Sequence, residues 1–437
     1  MPLRGFEANY VSYSPETDPV FTISIPQVVK FGFGVAREVG FEAKRLGLRR
    51  VALVVGRRLA ETRLAEEVRS SLEEAGVSVK VVTKVKIEPD DEAVMEAYRE
   101  IKDERLDGFV ALGGGSTIDT AKMLNLLHTY PRPLEDYINR PVGKGLSPPG
   151  PLKPLIAIPT TAGTGSESTN VAVVDVVRLK VKTGISNPYM RPTVALIDPL
   201  TTITMPPMVT ASSGLDVLNH AIESFTSHPY TSKPRIEDPS QRPVYSGATP
   251  LGDLFGAQAI VWVDRYLRRA YADPLDLEAR YYMMLAASIA GLGFGHVGVH
   301  VPHAMAYPIA GMVREYYPPD YEFGYPIVPH GIATSIPAGY AFKRLTAYNF
   351  PKFREIVKLV KGVEVATPRE AGEELFDYYM KLLEDLRVPT SLREIGYKEG
   401  DLEALVDGTL KQQRLLTLSP KRISKRDLEE IFKDALG

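Results

Sequence analysis

The 437-residue sequence predicts an α/β domain built on a mainly parallel sheet, residues 1–205, followed by an all-helical domain, residues 206–437. Three observations carry that expectation. Short β-branched runs alternate with amphipathic segments through the first half, the pattern of strands joined by helical crossovers. Two of those runs lead straight into turns rich in Gly, Ser and Thr. Past Pro206 and Pro207 the strand signals thin out, and long segments of helical period take over.

In chain order, VALVV (51–55) reads as a buried strand and RLAEEVRSSLEEAG (63–76) as a helix stopped by Gly76. VSVKVVTKV (77–85) is a second strand, and DEAVMEAYREIKDE (91–104) a second helix that starts just past Pro89. GFVAL (108–112) is a third strand running into the helical GGGSTIDTAKMLNLL, and LIAIP (155–159) and TVALID (193–198) supply two more. Right-handed crossovers make such strands parallel. In the second half, GLDVLNHAIESFT (214–226), LGDLFGAQAIVWVDRYLRRAY (251–271), DLEARYYMMLAASIAGLGF (276–294) and PREAGEELFDYYMKLLEDLRV (368–388) have helical period and length. Two Pro-rich stretches, 143–154 and 228–250, read as ordered surface loops or interface arms.

Composition narrows the function. With 44% hydrophobic and 24% charged residues the chain is that of an ordinary globular protein. Its 52 Lys and Arg nearly balance 54 Asp and Glu, so no overall basic field favours nucleic acid or an anionic membrane as partner. No apolar run reaches the roughly 18 residues of a membrane span, and the opening MPLRGFEANYVSYSPETDP lacks the apolar core of a signal peptide. The expected location is therefore cytoplasmic. Cys is absent, which excludes disulfides, iron-sulfur clusters and thiolate-zinc sites, and leaves any metal to nitrogen and oxygen ligands. Only seven His are present, and four of them fall between positions 296 and 330. Asn and Gln, seven and five, are also scarce, a depletion of thermolabile residues that points to a thermophile.

Three motifs carry chemistry. GGGS (113–116) follows a strand and opens a helix. Gly113, Gly114 and Gly115 let the backbone approach a phosphate, and Ser116 and Thr117 add donors at the helix N-terminus, where a pyrophosphate belongs. IPTTAGTGSE (158–167) lies one crossover later, and its Thr160, Thr161 and Thr164 offer uncharged donors to a nucleotide at the same sheet edge. Such a pair of turns makes the first domain a Rossmann-like dinucleotide-binding domain. In GLDVLNHAIE, Asp216 and His220 stand four apart and share one helix face about 5–6 Å apart, a chelating pair. His303 and His330 add two imidazoles. One Asp and three His suit Fe2+ or Zn2+ with an open position. His296 and His300 are also four apart, but Gly295, Gly298 and Pro302 make helicity there doubtful, so His296 is expected to have a polar or packing role.

GGGSTIDTAK (113–122), PTTAGTGSE (159–167), GLDVLNHAIE (214–223), HAMAYP (303–308) and PHG (329–331) together resemble the motifs of the iron-containing (group III) alcohol dehydrogenases. VAVVDVVRLKVKTGI, RPVYSGATPLGDL and GVHVPHAMAYPIAGMVREYYPPDYEFGYPIVPHG resemble one branch of that family, the hydroxyacid-oxoacid transhydrogenases. The resemblance implies a dehydroquinate synthase-like architecture, metal ligands at Asp216, His220, His303 and His330, and cofactor contacts at Gly114, Gly115, Ser116, Asp119, Thr160, Thr161, Thr164 and Lys182. Two departures stand out. Where many family members place a proton-relaying His four residues past the third ligand, this chain has Tyr307, which leaves the relay to Tyr307, to His300 or to ordered water. Where NAD-preferring members have an Asp after the first nucleotide-domain strand, this chain has Gly56 followed by Arg57 and Arg58, which favours a 2'-phosphate and hence NADP over NAD.

The expected function is metal-dependent hydride transfer between a nicotinamide cofactor and an alcohol or aldehyde, at a site in the cleft between the domains. The alternative is a transhydrogenase that oxidises 4-hydroxybutyrate to succinic semialdehyde while reducing 2-oxoglutarate. A non-catalytic metal and nucleotide sensor is a third reading. The expected partners are a small alcohol, aldehyde or hydroxyacid and a second copy of the chain, in a homodimer or higher homo-oligomer.

Overall fold

The computed structural model describes Tyr10 and residues 14–179, 181–321 and 324–437. Most of the opening stretch read above for a leader lies outside the described residues, as do Lys180 and residues 322 and 323 within two of the quoted motifs. The chain divides into two compact units. One joins Ser24–Met205 to Pro274–Gly291; the other joins the described residues up to Ile23 to Pro206–Asp273 and Leu292–Gly437. The expected division at 205/206 thus has two exceptions, each with a contact behind it. The N-terminal arm pairs with the Pro-rich stretch of the helical unit, Asp18 N donating to Lys233 O (3.0 Å) and Arg235 N to Glu16 O (2.8 Å). Tyr281 meets Phe31 edge to face at 4.8 Å, holding its segment to the α/β unit.

Six strands form the parallel sheet of the α/β unit: β1 (Val28–Phe31), β2 (Arg50–Val55), β3 (Ser78–Val82), β4 (Gly108–Gly113), β5 (Leu155–Pro159) and β8 (Val194–Ile197), in the order β1-β8-β5-β4-β2-β3. β6 (Val171–Val176) and β7 (Val181–Ser186) pair separately and antiparallel. Val51, Leu53 and Val55 of β2 pack on one face with Val39, Ala43, Val68 and Leu72. Ala52 and Val54 pack on the other with Ala97, Ile101, Ile118 and Leu124. Helices cover both faces, so the strand reads as an unbroken apolar run rather than an alternation. Thr62 and Asp90 cap the helices Arg63–Glu74 and Asp91–Arg99 through their side-chain oxygens. From β2 the chain steps to β3 on one side and returns to β4 on the other. The crevice at the carboxyl ends of β2 and β4 is therefore a topological switch point, where ligands bind in open α/β sheets.

The helical unit is built on Pro207–Thr226, Pro250–Ala272, Val301–Gly311, His330–Leu345, Phe350–Lys361, Pro368–Asp385 and further helices toward the C-terminus. Gly298, at φ 93°, separates Val301–Gly311 from the helix that ends at Val297. Among the described residues no single helix is long and apolar enough to cross a membrane.

Candidate metal centre and nucleotide turns

The helix Pro207–Thr226 is buried along most of its length and carries Asp216 and His220 on one face. Val301–Gly311 brings His303, and His330 opens the helix His330–Leu345. The Gly of the PHG motif explains how that last helix gets close enough. A Cβ on Gly331 would lie 1.8 Å from Ser212 O and 3.1 Å from Asp216 Cβ, so only glycine lets His330 reach the aspartate. Asn219 binds the two helices together, its amide donating to Thr334 Oγ1 (3.0 Å) and Ser335 Oγ (2.7 Å).

Three imidazole nitrogens surround one carboxylate oxygen. Asp216 Oδ1 stands 3.5 Å from His303 Nε2, 3.8 Å from His220 Nε2 and 3.9 Å from His330 Nε2. Asp216, His220 and His303 each offer a ligand atom, all within 4.8 Å of one another. These spacings suit a tetrahedron whose donors sit about 2.1 Å from a central ion and hence about 3.4 Å apart. Asp216 Oδ1 and His303 Nε2 are buried without a hydrogen-bond partner, a costly state that a cation resolves. The residues therefore fit a divalent ion. A quarter of the His330 side chain is exposed while Asp216, His220 and His303 are nearly sealed, which marks the open side of the cluster.

The electrostatics agree. Burial drives the His220 imidazole down to about 3, with His303 and His330 adding to the effect. Burial would raise Asp216, but the three surrounding imidazoles outweigh it and hold the carboxyl well below its usual range. For His303 burial opposes the proton, yet the Glu223 and Asp216 carboxylates lift it to about 9, so an entering cation displaces a proton there.

Glu223, unremarked in the sequence, is the main support of this centre. It is fully buried, and its Oε1 lies 2.6 Å from His303 Nδ1 while Oε2 accepts from His300 N at 2.6 Å. A proton held on Nδ1 by that carboxylate turns the Nε2 lone pair toward the ion. The clue was present: Glu223 follows His220 by three residues in GLDVLNHAIE and so shares its face. Phe294 stacks on the His220 ring at 3.9 Å, an apolar wall that the sequence also left unmarked.

The two relay candidates separate. Tyr307 sits one helical turn past His303, and its ring is 6.5 Å from that of His330. His300 requires correction. It is completely buried, its Nδ1 accepts from Val301 N (2.8 Å), and its Nε2 lies 3.0 Å from Thr226 Oγ1, whose own proton goes to Ile222 O. Both ring nitrogens are occupied, and burial pushes the imidazole down to about 4, so His300 caps the His303 helix rather than shuttling protons. His296, with Nδ1 on Leu292 O and Nε2 on Thr249 Oγ1, plays the polar packing role expected.

In the α/β unit the expected cofactor residues fall into two groups. β4 and β5 pair Gly113 with Pro159, so the GGGS turn and the Thr-rich loop leave the sheet side by side. A Cβ on Gly115 would strike Thr164 Cγ2 at 2.5 Å, and one on Gly114 would meet Thr161 Cγ2 at 3.1 Å, while Thr160 N donates to Gly113 O. Gly56 caps the short helix Arg57–Ala60 at the end of β2, across the switch point, with Arg57 exposed. These residues form one edge that can receive a dinucleotide. Ser116 is half-buried, and its Oγ accepts from Glu88 N at 3.2 Å. Asp119 and Lys182 are both engaged by neighbouring groups. Asp119 Oδ2 accepts from Val173 N (2.9 Å) and Oδ1 meets the fully buried Lys122, which also donates to Thr169 Oγ1 (3.1 Å) and Val171 O (2.7 Å). Asp119 thus ties its helix to β6 and, through Lys122, to the segment that leads into it. The buried Lys182 ammonium pairs with Glu88, with Asp175 at 3.8 Å.

A family model for iron-containing alcohol dehydrogenases matches residues 26–199, and the model for the C-terminal part of that family matches 244–436. The chain belongs to the iron-containing alcohol dehydrogenases. Among its relatives in this family, the mitochondrial hydroxyacid-oxoacid transhydrogenase of Bos taurus is 43% identical over 96% of this chain and 91% of its own length. That of Homo sapiens is 41% identical over 96% and 90%. Among solved structures, a 1,3-propanediol oxidoreductase superposes with a TM-score of 0.82 at 28% identity, covering 95% of this chain and all of the other. A sulfoacetaldehyde reductase from Bifidobacterium kashiwanohense, in complex with NAD+, does so at 0.77 and 27%, covering 95% and 98%. The expected cytoplasmic location is overturned, because these transhydrogenase relatives are named as mitochondrial proteins.

Proposed function

We propose that this family member is a hydroxyacid-oxoacid transhydrogenase, which oxidises a hydroxyacid and reduces an oxoacid while its nicotinamide is recycled. The observation that carries this reading is the identity of 43% to a transhydrogenase across 96% of the chain, against 28% to a propanediol oxidoreductase. Asp216, His220, His303 and His330 would hold a divalent ion, Fe2+ or Zn2+, whose Lewis acidity polarises the substrate oxygen. Glu223 keeps His303 in the ligating tautomer, and Phe294 shields His220 from water. Tyr307 is the phenol beside the open ligand His330 and the side chain best placed to exchange a proton with substrate. The GGGS turn with Thr160, Thr161 and Thr164 would seat the cofactor, and Arg57 after Gly56 favours NADP over NAD.

The test is to mix purified, metal-loaded protein with 4-hydroxybutyrate and 2-oxoglutarate and to follow succinic semialdehyde. Turnover without added nucleotide is the expected result. Turnover only in proportion to free nucleotide would make the chain a nicotinamide-linked alcohol dehydrogenase instead. Equal concentrations of NADPH and NADH in that second assay decide the cofactor, and a clear NADH preference would remove Arg57 from its proposed role. Homo-oligomers are expected by sedimentation.

A further inference from the structure

One guanidinium, next to Tyr307, has no counter-ion among the described residues. Arg414, on the short helix Gln413–Leu416, is partly exposed as a residue, but its Nη1 is shut off from solvent and has no hydrogen-bond partner. No carboxylate pairs with it among the described residues. Two phenols interact with it instead. Its guanidinium stacks over the Tyr245 ring at 5.2 Å, and the hydroxyls of Tyr245 and Tyr307 flank it. Tyr307 in turn stands edge-on to His330, the exposed ligand. A single tyrosine therefore separates Arg414 from the metal centre.

Both phenols come from places where this chain departs from the common alcohol dehydrogenase pattern. Tyr307 occupies the position where many members have His, and Tyr245 lies in the stretch RPVYSGATPLGDL. Tyr245 is fixed in place: Lys233 donates to its carbonyl, and its ring fills the space a Cβ on Gly298 would need. A desolvated guanidinium lacking an anion is costly, and a planar fork held by phenols is suited to a carboxylate.

We propose that Arg414, with Tyr245 and Tyr307, is the subsite that binds the carboxylate of a short hydroxy- or oxoacid while its oxygen function reaches the metal centre. This rests on the transhydrogenase reading for its substrate class. It makes Arg414 a specificity-determining residue, because an uncharged alcohol leaves the guanidinium unpaired and a carboxylate satisfies it.

The experiment uses wild-type protein, R414Q and R414K, each with its metal content measured. Butyrate, which has the carboxylate and no reacting oxygen, is titrated calorimetrically. R414Q should weaken it about 10- to 100-fold, the range for loss of a charge-assisted hydrogen bond, and R414K should recover part of that as a point charge without the fork. The ratio of kcat/KM for 4-hydroxybutyrate to that for 1-butanol should fall with it, mainly through KM. Unchanged butyrate affinity in metal-replete R414Q overturns the proposal, as does an equal loss on acid and alcohol. Butyrate binding that depends on Arg414 without any hydroxyacid-oxoacid exchange by the wild type keeps the subsite and defeats the transhydrogenase reading. Exchange by a wild type whose butyrate affinity ignores Arg414 defeats the subsite alone.

Discussion

Three imidazoles gathered around one carboxylate oxygen in a dry interior suit a divalent ion among them, and Glu223 shows how the site would be kept ready for it. Without Glu223 the His303 ring could place its proton on either nitrogen, and only one choice leaves a lone pair facing Asp216. Glu223→Gln keeps the shape and removes the charge. We expect metal affinity to fall about 10- to 100-fold, the usual consequence of losing a carboxylate behind a ligating His. Competition with a chromophoric chelator measures this, and wild-type affinity would contradict it. The four proposed ligands are legible as candidates because Asp216 and His220 lie on one local helix face and any further imidazole had to come from only seven His. Glu223 was equally local and went unread because carboxylates are common, with 54 in the chain. His300 stood among the relay candidates because its sequence position gives no sign of its partners, and only the packing shows both ring nitrogens engaged.

Helices and loops deliver these residues, and their close approaches are where they can be broken. Gly331 lets His330–Leu345 touch Pro207–Thr226, and Ala there would put a methyl 1.8 Å from Ser212 O. Gly331→Ala should cost about 1–3 kcal/mol as overpacking and should also release metal, because the helix that moves carries His330. Thermal unfolding and metal analysis on one sample would show the two losses together; a metal-replete, wild-type Tm would refute the coupling. The Pro-rich stretch 228–250 offers a second handle. Burial pulls the Lys233 ammonium down to about 8, against Asp18, which acts to raise it. Its folded value lies below the unfolded one of about 10.4, so the unfolded chain holds more protons between those limits and stability rises with pH across them. Measured by urea unfolding, wild type should gain on Lys233→Met from pH 8 toward 10.4 and keep a constant difference below pH 8. A flat difference throughout would mean that Lys233 is solvated. The buried strands and long helices were legible because their apolar period is local. The edge strand β1, with its half-exposed pattern, lacked a continuous run to find, and the pairing of β6 with β7 depended on partners.

At the scale of the whole chain, the two ligand classes belong to different units. Asp216, His220, His303 and His330 all lie in the helical unit, and the glycine and threonine turns lie in the α/β unit. Hydrogen exchange should reflect this division. Removing metal should speed exchange first in Pro207–Thr226, Val301–Gly311 and His330–Leu345, and adding nucleotide should slow it first around residues 113–117 and 160–165. Metal removal that loosened the turns before the helices would argue against this placement. The sequence by itself determined the chemistry on offer: oxygen and nitrogen ligands without sulfur, phosphate-cradling turns after strands, and a chelating pair on one helix. Those are consequences of residue type and local spacing, which need no tertiary contact. Only the tertiary structure decided which residues meet. It turned His303 and His330 onto Asp216, engaged His300 and Asp119 with buried partners, and brought Arg414 beside Tyr307 from more than a hundred residues away. The physical reason is that convergence of distant segments is set by how helices pack, down to the missing Cβ of Gly331, and no local pattern encodes that distance.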